Sequence, residues 1–131
     1  MGVRYPSVAS TTFVGPFPAN ATETVVCTSP PFTPPLDSSQ IFIQWFFACL
    51  VGASITSFFY RLRRGTTTAG QLLNLNNWAI PVAAAGGFVS SGVYVDNPGA
   101  VSGQQYSLTV AQTAATGASS VPDVCLIVFA L

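Results

Sequence analysis

The side chains that could do chemistry in this 131-residue chain are few, and their types narrow the field at once. There is no histidine, and the four basic residues are all arginines: Arg4, Arg61, Arg63 and Arg64. Without histidine or lysine the chain cannot assemble a Ser-His-Asp or Cys-His triad, a lysine Schiff base, a P-loop or a histidine-based metal site. The acids Glu23, Asp37, Asp96 and Asp123 are scattered singly, whereas glycosidase-type chemistry needs two carboxylates close together. Asp96 opens an Asp-Asn-Pro-Gly turn and Asp123 follows Pro122, so both read as structural. Cys27, Cys49 and Cys125 form an odd count without CxxC spacing, which argues against zinc. They read as small buried thiols, with a single Cys27–Cys125 bridge left open. Asn20-Ala21-Thr22 fits the N-glycosylation acceptor pattern, but no secretory signal is visible and the tripeptide is discounted. The expectation is a protein with no catalytic residues, no cofactor and no metal.

Arg61, Arg63 and Arg64 hold three of the four positive charges. Their simplest role is a solvated strand end, with Arg61 and Arg63 alternating outward and pairing with Asp96 or Asp123. An inter-subunit salt bridge and a small anion site for phosphate, lipid head group or carboxylate are the alternatives. Nucleic acid is the least favoured reading of the cluster: four arginines are almost no positive charge with which to build a basic patch, and direct nucleic-acid binding is not expected. Half of the residues are hydrophobic and 6% are charged, against about 25% charged in an average soluble domain. A chain so poor in charge is expected to cover much of its surface with partners.

The elements that must position these residues turn on one segment. Ile41 to Tyr60 is free of charge and is followed by Arg61-Leu62-Arg63-Arg64, which fits a membrane-spanning helix. Its aromatic and β-branched content and the small, turn-like Val51-Gly52-Ala53-Ser54 instead predict two strands, about 40–50 and 54–63, folded as a hairpin. Further strands are predicted at 21–28, 71–76, 78–85 (weakened by Pro81), 88–95, 105–112 and 124–131. In 88–95, Val89, Val93 and Val95 share a face. Residues 1–20, rich in Pro, Ser and Thr, read as an extended N-terminal arm. The expected fold is all-β, an antiparallel sandwich or barrel of eight strands over residues 21–131.

Phe46-Phe47 and Phe58-Phe59 are adjacent pairs, and neighbours on a strand face opposite ways. Each pair therefore sets one ring on each side of a sheet, although a two-sheet sandwich has a single core. Phe13, Phe17, Phe46, Phe59, Arg61, Arg63 and Arg64 are the resulting candidates for an inter-subunit interface.

Four stretches carry a resemblance: Phe59-Tyr-Arg-Leu-Arg-Arg-Gly-Thr-Thr-Thr-Ala-Gly70, Val95-Asp-Asn-Pro-Gly99, Gln104-Gln-Tyr-Ser-Leu-Thr-Val110 and Val124-Cys-Leu-Ile-Val-Phe-Ala-Leu131. Their order resembles the single jelly-roll modules of viral structural proteins, of the capsid, cement (decoration) and head-fibre kinds, over residues 21–131. Tumour-necrosis-factor-like trimers share such patterns. The resemblance implies a jelly roll, a virion location and a non-enzymatic structural role. Its partners would be copies of itself, in a homo-oligomer such as a trimer, or other capsid proteins. Genome-packaging capsid proteins usually carry an Arg/Lys-rich arm, whereas residues 1–20 hold only Arg4, which implies a shell or surface role, or a shell whose genome charge is neutralised elsewhere. The other readings are a single-pass virion-membrane protein spanning 41–60 and a soluble trimeric receptor-binding knob.

Overall fold

A computed structural model describes residues 7–14, 22–34, 40–52, 55–73, 78–80, 86–99, 101–114 and 119–130. Among them the regular structure is all β, in nine strands: β1 (Ser7–Val14), β2 (Thr24–Thr28), β3 (Ile41–Val51), β4 (Ile55–Arg64), β5 (Gln71–Leu72), β6 (Trp78–Ile80), β7 (Gly86–Asp96), β8 (Tyr106–Ala114) and β9 (Ser120–Ala130). Two antiparallel sheets result. The first has the order β1-β9-β3-β7, and the second β2-β8-β4-β5, with β6 also paired to β4.

Period-two patterning explains why these segments are strands and which side they bury. In β3, Ile41, Ile43, Trp45, Phe47, Cys49 and Val51 face the core, and the residues between them face out. Tyr106, Leu108 and Val110 of β8 and Phe58, Tyr60 and Leu62 of β4 close the core from the second sheet. Tyr60 meets Phe47 and Trp45 edge-on, at ring-centroid distances of 4.8 and 6.3 Å. Each such side chain taken out of water stabilises the sandwich by about 1.5–3 kcal/mol before ordering costs. In β9 the alternation slips between Val121 and Val124, where the register against β3 also shifts, as a β-bulge requires.

The two strands expected within 41–60 are present, while the alternative reading of that segment and two expectations are corrected. First, the segment 41–60 is not a membrane helix: it supplies β3 and β4, and no helix among the described residues is long and apolar enough to cross a membrane. Second, β3 and β4 are not a hairpin. β3 pairs with β7 and β9, β4 with β5, β6 and β8, so the chain passes from one sheet to the other between Val51 and Ile55. Both strands carry a row of core-facing apolar side chains, and setting them in opposing sheets buries both rows against each other. Third, the extended arm does not hold for Ser7–Val14, which pairs with β9 along its length and extends the first sheet. The rest of residues 1–20 lies outside the described residues.

Polar contacts tie the two sheets along β7. Ser90 donates to the Tyr60 hydroxyl at 2.8 Å, and the Tyr94 hydroxyl donates to the Leu73 carbonyl at 2.9 Å. At the end of the strand Asp96 accepts from the Tyr106 hydroxyl at 2.9 Å and from both Nε and Nη2 of Arg64, at 3.0 and 2.6 Å. The three cysteines carry no disulfide, so the Cys27–Cys125 bridge left open by the sequence does not form.

Candidate interaction surfaces

The outward face of the second sheet is built from alternate residues of three neighbouring strands. Val25 of β2, Thr109 of β8 and Arg61 of β4 lie side by side in register. Glu23, just before β2, reaches across Thr109 to Arg61 and Arg63. Arg63 donates from Nε and Nη2 to the two carboxylate oxygens at 2.6 and 2.8 Å, and Arg61 adds a bond at 2.7 Å. Thr109 donates to the same carboxylate at 2.5 Å, and Arg63 also donates to the Gly70 carbonyl at 2.7 Å. Burial would raise the Glu23 pKa, but the hydrogen bonds from Arg63, Thr109 and Arg61 outweigh it and hold the carboxyl below its ordinary 4.5. The long arginine stems cover the sheet, so Ser107 and Thr109 are buried although they point away from the core.

This arrangement alters the reading of the arginine cluster. Arg61 and Arg63 pair with Glu23, and Arg64 with Asp96, all within one chain. Asp96 was expected to pair with Arg61 or Arg63 and instead holds Arg64. Glu23 was not expected as a partner, and the sequence signal that could have found it is the shared outward parity of Glu23 with Arg61 and Arg63. With carboxylates already seated on all three guanidinium groups, the anion-site alternative loses its basis. Phe59 is half-buried, and Arg61 lies over its ring at 5.0 Å, so its outward ring is covered by its own chain.

The first sheet has a different outer face. Phe46, Leu50, Val89, Val93 and Val95 are 43, 52, 68, 57 and 46% exposed. Phe42 stacks on Phe129 across β3 and β9, with ring centroids 5.4 Å apart. A shallow depression of about 300 Å³ between Gln44, Phe46, Ser91, Cys125 and Ile127 dimples the middle of this face. Asp123 is the one charged side chain among the described residues of these outward rows. Of the other candidates, Phe13 lies on β1, beside this sheet's β9, and Phe17 lies outside the described residues.

Among the described residues, Asp96 and Asp123 do not form a carboxylate pair. Asp96 pairs with Ile41 of β3, and Asp123 with Ala48. Seven residues along that strand separate the two positions by about 23 Å. No group of three potential metal ligands occurs among the described residues. Burial pushes the Cys49 thiol up to about 11, against the opposing pull of a backbone hydrogen bond at Phe88, so it is a thiol and not a nucleophilic thiolate near neutrality.

No protein-family model and no curated protein matches this chain. Solved structures match by fold. A chain in the structure of infectious bursal disease virus, Gx strain, superposes with a TM-score of 0.60 at 10% identity, covering 97% of this chain and 32% of that one. The VP2 subviral particle of the same virus gives a TM-score of 0.54 at 10% identity, over 97% and 33%. Dimeric latent PorU from Porphyromonas gingivalis gives 0.54 at 10% identity, over 96% and 13%. This chain thus spans about a third of the length of the viral chains it matches.

Proposed function

We propose that this chain is a non-enzymatic structural subunit of a virus particle, a jelly roll that assembles with its own copies or with other capsid proteins through the outer face of its first sheet. The strand order supports the jelly-roll reading. The order β1-β9-β3-β7 facing β2-β8-β4-β5 is that of two interlocked Greek keys, with β5 and β6 sharing the eighth strand position. That fold is also found in a bacterial protein, so fold alone does not choose a role.

The observation that carries the choice is the difference between the two outer faces. The second sheet covers itself with an ion-paired network, whereas the first leaves aromatic and aliphatic side chains in water. A face of four strands, the longest eleven residues, measures roughly 19 by 37 Å, or about 700 Å². That is close to the ~800 Å² per partner of a stable interface. Electron microscopy of the purified protein, with light scattering behind size exclusion, tests the reading. Closed particles or discrete oligomers are expected, and a monomer at all concentrations in plain buffer overturns it.

A further inference from the structure

Among the described residues β7 is an outer strand: its whole length pairs with β3, and no described strand pairs with its other side. Natural outer strands are kept short or carry lysine, proline or a bulge, because a free row of N–H and C=O groups invites pairing. β7 has none of these protections. It is eleven residues long, its register against β3 runs unbroken from Gly86 to Asp96, and it holds no proline and no charge before Asp96. Its outward Val89 and Val93 are the most exposed of the described large apolar side chains. Its inward Phe88 and Tyr94 pack on the core yet stay only partly buried. The strand is therefore incompletely covered on both faces as well as along its edge.

We infer that β7 pairs antiparallel with β7 of a second copy of this chain, about a two-fold axis at Ser91, joining the two first sheets into one continuous sheet. The inference deepens the assembly reading and rests on it only for the claim that copies meet. An antiparallel strand pair of identical chains is closed by two-fold symmetry, so one edge serves both partners. Side chains select the register. With Ser91 opposite the partner's Ser91, Val89 faces the partner's Val93 on the outer side and Phe88 faces the partner's Tyr94 on the inner side. Both are β-branched or aromatic cross-strand pairs of the kind that stabilise sheets. Centring on Gly92 instead sets Phe88 against the partner's Asp96, and centring on Ser90 leaves the valines against serine and glycine. Eleven residues span about 37 Å, and a strip of that length one side chain deep on each face covers roughly 400–500 Å² per copy. The total, about 800–1,000 Å², lies at the lower bound for a specific interface, so the dimer is reversible. Roughly ten backbone hydrogen bonds accompany it.

Sedimentation velocity on the full chain from micromolar to several hundred micromolar, with three variants, tests this. The wild-type chain is expected to show a concentration-dependent dimer. V89K/V93K sets lysine against lysine and is expected to weaken the dimer at least ten-fold, while V89K/V93E sets lysine against glutamate and is expected to restore it. Both positions are exposed, and a thermal melt verifies that each variant folds. S91C is expected to give a disulfide-linked dimer on mild oxidation, because facing Cα atoms at about 4.5–5.5 Å lie within disulfide reach. Cys125 lies two strands away, about 9.6 Å, and cannot bridge to position 91 within a chain. If copies assemble but both double variants behave as wild type and S91C gives no bridged dimer, the edge pairing is wrong and the assembly reading stands. If the wild-type chain stays monomeric throughout, both fall.

Discussion

At Gly92 the demand is for space. The residue faces the core opposite Trp45 of β3, and a Cβ built there would overlap the Trp45 indole. Gly92→Ala must displace a buried ring, and overpacking of that kind costs about 1–3 kcal/mol, to be read from the midpoint of chemical unfolding. Glu23 is the other residue on which much depends, since it receives two arginines and a threonine. Glu23→Gln is expected to cost about 1–3 kcal/mol at pH 7, because it leaves two partly buried guanidinium groups short of their counter-charge. Its pH signature has a defined sign. A carboxyl whose pKa is lower folded than unfolded stabilises fully above the unfolded value and loses that contribution as pH falls through the folded one. Wild-type stability should therefore hold down to about pH 5 and decline below 4.5, with a shallower acid slope in Glu23→Gln, measured by urea unfolding across pH.

At the scale of elements, β1 is the instructive case. Its Ser/Thr content and the prolines around it read as an unpaired arm, yet it adds a strand beside β9. That partner lies more than a hundred residues away in sequence, and no local pattern announces it. The consequence is measurable. Deleting residues 2–14 should lower the melting temperature and promote aggregation, since it strips β9 of a neighbour along one side. An intact melting temperature with impaired assembly would instead restore the arm. The β3–β4 corner teaches a similar lesson. Alternation identified both strands and the break between them, but a short connection serves a hairpin or a passage between sheets equally well. Only the partners β8 and β9 decide which.

For the whole molecule, the asymmetry between the two outer faces sets the expected solution behaviour. Contacts made through aliphatic and aromatic side chains should persist or strengthen as sodium chloride rises from 0.05 to ~1 M, because screening weakens charge pairs and leaves apolar burial intact. Light scattering across a salt series checks this, and dissociation at high salt would return the arginines to an inter-subunit role. With its described arginines already paired in the chain, the protein should also leave the mobility of duplex DNA unchanged at physiological salt.

Composition and period-two patterning by themselves determined that the chain is all-β, that catalysis by histidine or lysine is closed to it, and that Phe46 and Phe47 must face opposite ways. These are local properties, set by which side chains exist and by the pleat. Tertiary structure alone decided which face is inside. On β7 the three valines point to solvent while Phe88 and Tyr94 turn inward, because Gly92 yields its place to Trp45, Tyr94 bonds to the Leu73 carbonyl just after β5, and Asp96 finds partners in the second sheet. It also decided that Glu23, some forty residues from Arg61 and Arg63, is their counter-ion. Strand parity restricts each side chain to one of two faces, and only the pairing of distant strands chooses between them and brings the charges together.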